Sequence, residues 1–403
     1  MDFETLLFQN PQWSNEKQVL PEFKRYLFPF LMKNLANKMI LSITGMRRVG
    51  KSVLMKQIAR ELMASGVDPR EILYFSFDAE PGEPSEAIGE WAKRFSLDYR
   101  NKRLYVFLDE IQKVDGWGEK LKVLYDNTQI KFIISGSASM LVRKGKESLA
   151  GRVLEYQLDP LSFDEYAKMR GVSKQGIGWQ LYEAYLHRQF PELATSDINP
   201  TDYVRSIVDK VISEDLPKLY NTVSKETGEK IFRIIARSPG QTIEYGDLAK
   251  DLGIERETAS KYLEALVNSY LVRKVYNYVG NVRKSERSAK RYYPYAANLC
   301  DYLLPIPTDF SLVAETDVAF QLDAEYFSRD GKNEIDFIVG DNLDTGVEVK
   351  MRKTIDFQDS KVLMNTRLKL KHRFIVGFPH AKKEIPSGVT FVPLQDVRSL
   401  RAK

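Results

Sequence analysis

Cysteine is almost missing from this chain: Cys300 stands alone in 403 residues. A single thiol excludes an internal disulfide framework and any cysteine-cluster zinc site, and three histidines leave little for histidine-based metal centres. Long apolar runs are missing too, and none approaches the length that crosses a bilayer. The opening MDFETLLFQNPQW is acidic and lacks a basic stretch followed by an apolar core, so no secretory signal is read there. These absences point to a cytoplasmic protein in reducing surroundings, with no membrane partner. A strong excess of one charge is also lacking: net +5 neither demands nor forbids nucleic acid, and local clustering has to decide. What remains is a globular composition, 43% hydrophobic and 29% charged, in a chain with room for about two to four domains.

Chemistry concentrates first between Met39 and Met63. An apolar strand leads into Gly45, Met46, Arg47, Arg48, Val49, Gly50, Lys51, Ser52 and Val53, and a helix follows. Gly45, Gly50, Lys51 and Ser52 fill the G-x-x-x-x-G-K-[ST] phosphate loop. Glycines let successive backbone N–H groups turn toward phosphate oxygens, and the helix adds its positive end. Lys51 is expected to reach the β and γ phosphates and Ser52 to ligate Mg²⁺. A plain glycine turn would account for Gly45 but not for Lys51 and Ser52 together. Arg47 and Arg48 have no assigned role: phosphate, a neighbouring subunit and solvent all remain open.

Further along, LYVFLDE ends an apolar strand in Asp109 and Glu110, the layout in which Asp109 holds Mg²⁺ and Glu110 polarises the attacking water. Another strand, Lys131 onward, ends in Ser135, Gly136 and Ser137. A γ-phosphate sensor would sit there, and so would a helix N-cap made by Ser137 or Ser139. Arg152 precedes a fifth strand, where it could answer the γ phosphate in its own subunit or in a neighbour, or serve as a surface ion-pair residue. Ser162 primes the N-terminus of the next helix.

Together ITGMRRVGKS, YFSFD, VFLDEIQ, ISGSAS, LAGR and PLSFDEY resemble the archaeal and bacterial AAA-like P-loop ATPases that carry a C-terminal domain of unknown function. The resemblance spans nearly the whole chain. It implies ATP and Mg²⁺ as cofactors and a doubly wound parallel α/β sheet, with the sensor strand between the phosphate-loop and Asp109 strands. One departure is visible: where the family often has a glycine pair before Phe-Pro-Glu, this chain reads His187-RQFPEL.

The chain divides by pattern into an ATPase core with a helical N-terminal cap (1–160), a helical lid (161–226, its helix broken at Pro217), a winged helix-turn-helix (227–294) and a last domain (295–403). Gly253 marks the turn of the winged segment, and Leu248, Leu252, Ile254, Leu263 and Leu266 supply its core. Its second helix exposes a mixed face of Glu255, Arg256, Glu257, Ser260, Lys261 and Glu264, which does not favour phosphate. The wing is richer: Arg273, Lys274, Arg283, Lys284, Arg287, Lys290 and Arg291 alternate with Tyr276, Tyr278, Tyr292 and Tyr293, a DNA footprint or simply a solvated face. In the last domain Asp336 lies on one strand and Glu348 and Lys350 share a face of the next. Carboxylates and a lysine so arranged suit metal-dependent phosphodiester hydrolysis. By resemblance this is a restriction-endonuclease-like fold with Glu315, Asp336, Glu348 and Lys350 on its motif positions. The expected function is an ATPase whose nucleotide state controls these modules. An ATP-gated DNA nuclease and an ATP-binding scaffold without turnover are the alternatives, and a homo-oligomer stays open through Arg152.

Overall fold

The computed structural model describes residues 2–14, 19–137, 148–172, 178–219, 224–285, 288–304, 308–331 and 333–402. Ser139 and Arg287 lie outside them. The chain forms two compact units, Met1–Pro160 and Leu161–Lys403.

In the first unit the strands β1 (Ile40–Thr44), β2 (Ile72–Ser76), β3 (Tyr105–Asp109), β4 (Lys131–Gly136) and β5 (Val153–Gln157) pair in parallel, in the order β2-β3-β4-β1-β5. The sensor strand β4 therefore lies between β1 and β3, as the resemblance implies. Strands buried on both faces need continuous apolar runs, and ILSIT and KFIISG are buried at every position. One face (Phe75, Val106, Leu108, Ile134) packs with Ala87, Ile88 and Trp91 of helix Pro84–Phe95 and with Leu121 of helix Trp117–Asn127. β2 is an edge, and the N-terminal segment covers it. Asn10 grips Tyr74 on both sides, Nδ2 donating to its carbonyl and Oδ1 accepting from its N–H at 2.8 Å each, while Gln9 accepts from Ser76 N–H at 2.7 Å. Side-chain amides here do what a further strand would otherwise do.

In the second unit, helices Lys225–Arg237, Tyr245–Leu252 and Arg256–Asn268 are interleaved with β6 (Thr242–Ile243), β7 (Val272–Asn277) and β8 (Lys290–Pro294), with β8 antiparallel to both β6 and β7. Gly253 takes φ 65° at the turn between two of the helices. Helix Phe310–Leu322 is followed by β9 (Tyr326–Asp330), β10 (Asn333–Val339), β11 (Thr345–Lys350), β12 (Thr354–Ile355), helix Phe357–Asn365, β13 (His372–Gly377), β14 (Lys382–Lys383) and β15 (Thr390–Pro393). Among the described residues these make one sheet, β15-β13-β11-β10-β9-β7-β8-β6, with β12 and β14 as a separate pair. The two halves of the sequence pattern thus share a sheet, joined where Tyr276 and Asn277 pair with Tyr326 and Phe327.

Residues 161–226, expected as a lid, belong to this second unit. Phe163, Tyr166, Tyr182 and Tyr185 enter one core with Val318, Phe337 and Val349, because so many aromatics bury more surface against the sheet than a free helix could cover. Helix Phe163–Met169 starts in a capping box of Ser162 and Glu165, as its sequence predicts. Pro217 does not break its helix: Pro200–Lys210 runs through a π turn at Val211–Asp215 into Leu216–Leu219, and the wider turn accommodates a residue without an N–H. At the departure from the family pattern, His187 Nδ1 lies 3.0 Å from both Asp301 carboxylate oxygens, and that hydrogen bond raises the imidazole above its ordinary value.

Candidate functional site

The loop between β1 and helix Lys51–Ala64 is shaped by backbone that only glycine tolerates well. Gly45 has φ 141°, and a Cβ there would stand 2.2 Å from the Leu158 carbonyl oxygen; Gly50 has φ 99° at the helix N-cap. Arg25, from the N-terminal segment, braces the loop from behind. Its guanidinium is buried and donates to the carbonyls of Val49 (2.5 Å) and Asp159 (2.7 Å). Lys51 is 5% exposed, and its Nζ donates to the carbonyls of Gly45 and Met46 at 3.0 Å each. Met46 and Val49 are buried, Arg47 is half-buried, and Arg48 is exposed in the left-handed region at φ 63°. Val53, like Ser52, is half-buried on the helix's first turn.

β3 delivers its two carboxylates to the same end of the sheet. Asp109 is 2% exposed; one oxygen accepts from the Ser135 hydroxyl of β4 and the other from Tyr74 of β2 at 2.6 Å. Tyr74 also hydrogen-bonds Ser52, so one hydroxyl ties the loop serine to the β3 aspartate. Burial and Asp109 push this phenol well above its ordinary value, which keeps it a donor. Glu110 turns out of the strand at φ 54°, its N–H bonded to Ser135 Oγ at 3.1 Å and its carboxylate 3.7 Å from Lys51 Nζ. Burial alone would raise its pKa, but Lys51, Gln112, Ser137 and Arg47 together hold it below the usual carboxylate value. Gln112 bridges Glu110 to Ser137, donating to Ser137 Oγ at 3.2 Å.

Lys51, Ser52, Asp109, Glu110 and Ser137 are thus brought together, and Arg152 is not. β5 runs parallel to β1 with Val153 beside Ile40, so Arg152 lies at the amino end of the sheet, roughly 15–20 Å of strand from the loop. There it pairs with Asp126 at 3.0 Å. Sequence reasoning missed Arg25, Tyr74 and the part played by Ser135. Each acts through a partner at least 22 residues away, and no local spacing signals that.

The loop fits a nucleoside triphosphate on its own geometry: a glycine-bounded turn at the N-terminus of helix Lys51–Ala64, a buried lysine that donates to two loop carbonyls, and a serine and an aspartate able to take a divalent cation. Residues 37–167 match the model of an AAA domain. That match makes this segment an AAA-like domain. Residues 178–309 match a domain of unknown function (DUF8612). An uncharacterized protein of Haemophilus influenzae is 27% identical over 59% of this chain and 62% of its own, and one of Methanocaldococcus jannaschii is 24% identical over 63% and 60%. The chain therefore spans only about three fifths of these relatives. Among solved structures, AMPPCP-bound DnaA from Aquifex aeolicus (14% identity, 64% of this chain and 92% of that one, TM-score 0.31) and the S. cerevisiae Hsp104–ADP complex (16%, 65% and 41%, TM-score 0.34) are distant likenesses. The AAA domain's architecture is defined by the strand order of the chain itself. No helix among the described residues is long and apolar enough to cross a membrane.

A second cluster gathers in the other unit. Beyond the Phe337–Val347 pair, the next residues along β10 and β11 are Asp336 and Glu348. A bulge between Ile335 and Ile338 bends β10 at this point. Lys350 Nζ is 2.5 Å from Glu348 and 3.8 Å from Asp336, whose second contact is the Val349 N–H at 2.9 Å. Glu315 accepts from the Tyr293 hydroxyl at 2.7 Å. Burial and the charge of Asp336 push Glu315 up to about 7 and Glu348 up to about 8. Arg291, expected on the DNA face of the wing, is buried here instead, paired with Glu334 and 3.8 Å from both Glu315 and Asp336. Arg273 is likewise buried and bonds Asp323 at 2.7 Å. Neither guanidinium is presented to a phosphate, because carboxylates distant in sequence claim both.

Proposed function

We propose that the chain is a Mg²⁺-dependent ATPase of the AAA-like class. The observation that carries this is the convergence of Lys51, Ser52, Asp109 and Glu110 at the carboxyl ends of β1 and β3. Amides of Gly45–Val53 bind the phosphates, and Lys51 exchanges its loop carbonyls for phosphate oxygens. Ser52 and Asp109 hold the metal, oriented by Tyr74 and Ser135. When bound, the cation neutralises charge on the phosphates. Glu110, kept ionised by Lys51 and Gln112, orients the attacking water, and Ser137 reports on the γ phosphate through Gln112. ATP turnover compared between the native chain and Glu110 variants tests the reading.

Nucleotide state, in this proposal, governs a DNA-contacting second unit. The order helix, strand, helix, helix and hairpin through β6–β8 supports a winged helix. Of the basic residues in the wing and the segment after it, Arg283 and Lys284 are the exposed ones among those described. Duplex binding should weaken with salt, and Lys284→Glu should flatten that slope by about one. An unchanged slope removes the wing from the interface.

A nuclease reading is favoured by one observation, the meeting of Asp336, Glu348 and Lys350. The succession of helix, β9, β10, β11, helix and β13 supports a restriction-endonuclease-like frame. Under this reading plasmid nicking requires Mg²⁺ and disappears in Asp336→Ala. Equal nicking by both proteins sinks it.

A further inference from the structure

The carboxylate cluster of the second unit has an odd occupant. Arg291 comes from β8, in the hairpin that carries the wing, yet its side chain is 8% exposed and lies over the Phe327 ring of β9 at 4.6 Å from the centroid. Its guanidinium bonds Glu334 and stands 3.8 Å from Glu315 and from Asp336. Burying a guanidinium is expensive unless carboxylates surround it, so the wing strand and the cluster depend on each other.

Glu315, Glu334, Asp336 and Glu348 face three cations, Arg291 and Lys350 within the cluster and Arg329, 3.8 Å from Glu334. Glu348, 2% exposed, has one carboxylate oxygen, Oε1, without a hydrogen-bond partner, and Arg291 Nε is likewise without one. With the guanidinium seated, no group of acids, histidines or cysteines among the described residues is arranged to hold a metal ion. Arg291 stands where a cation would, 3.8 Å from two carboxylates, while Glu348, held through its other oxygen by Lys350, keeps Oε1 without a hydrogen-bond partner.

We propose that Arg291 is the resident cation of this cluster, and that Glu315, Asp336 and Glu348 take up a divalent cation only when the guanidinium is withdrawn with β8. The inference rests on the nuclease reading solely for its choice of ligand. It makes β8 a plug: whatever moves the wing strand decides whether the cluster is filled by the protein or by a metal.

Mn²⁺ binding to the full chain without nucleotide, read from the electron paramagnetic resonance signal of the free ion, tests it. Arg291→Met should bind one Mn²⁺ at least tenfold more tightly than the native chain. Adding Asp336→Asn to that variant should abolish the gain. Arg291→Lys, which keeps the charge but shortens the reach, gives an intermediate gain and serves if the methionine variant does not fold. The proposal is overturned if native protein already binds Mn²⁺ in an Asp336-dependent way as tightly as the variants do, or if folded Arg291 variants gain nothing. The readout is occupancy, so a failure to cleave DNA would remove the nuclease reading and leave this one standing.

Discussion

Glu110→Gln should bind ATP and scarcely hydrolyse it. The substitution keeps the side chain's size and its contact with Gln112, but removes the charge that faces Lys51 at 3.7 Å. A positioned acid–base group is worth roughly a hundredfold to ten-thousandfold in rate, and turnover should fall by that much. Affinity should change by less than about tenfold, since Glu110 does not belong to the phosphate cradle. Lys51→Ala should do the opposite first: it removes charged hydrogen bonds worth about 1.5–3 kcal/mol, so binding weakens by about tenfold to a hundredfold, and turnover falls with it. Equilibrium binding of a fluorescent ATP analogue and phosphate release, measured on the same preparations, separate the two. If native and Glu110→Gln proteins release phosphate at the same rate, the ATPase reading fails and the ATP-binding scaffold takes its place.

The sequence reveals the parts of this site that are local. Gly45 to Ser52 form a contiguous string, and Asp109 and Glu110 end an apolar run, so spacing alone identifies them. Which end of the sheet a residue reaches is not local. Arg152 directly precedes a strand, but only the pairing of Val153 with Ile40 shows that it sits at the amino end, away from the loop. The order of the sheet came from resemblance, and β4 does lie between β1 and β3. The wing misleads for a different reason. Arg273 and Arg291 lie in a basic, aromatic stretch that reads as a nucleic-acid surface, and their partners, Asp323 and Glu334, come 50 and 43 residues later. Charge clustering measures how many charges a segment has, and folding decides which of them are already neutralised.

Asp317→Ala should destabilise the second unit more than any surface change. The residue sits two positions beyond Glu315 on helix Phe310–Leu322 and is fully buried. One oxygen accepts from Tyr185 Oη at 3.1 Å and Gln189 Nε2 at 2.7 Å, the other from Tyr182 Oη and from Gln321 Nε2 at 2.5 Å. Alanine would take the acceptor from the buried Tyr182 and Tyr185 hydroxyls, while Gln321 Nε2 keeps Tyr182 Oη at 3.2 Å and Gln189 keeps Tyr185. Losing one partner of such a buried, charged network costs about 3–5 kcal/mol, or about 6–20 °C in melting temperature for a unit of this size. Asn keeps one acceptor oxygen but turns an amide toward two of the donors, so Asp317→Asn should fall between native and alanine. The pH dependence gives a sharper check. Burial outweighs the four donors and raises the Asp317 carboxyl above its ordinary 3.8. As pH rises from about 4, the unfolded chain gives up this proton before the folded one does, so native stability declines across that window. Asn has no such proton, and the gap between native and Asp317→Asn should narrow as pH rises. A melting temperature of Asp317→Ala within about 2 °C of native would mean that the tyrosines and glutamines find other acceptors, and that the network is not what holds helix Trp179–Leu186 to the core.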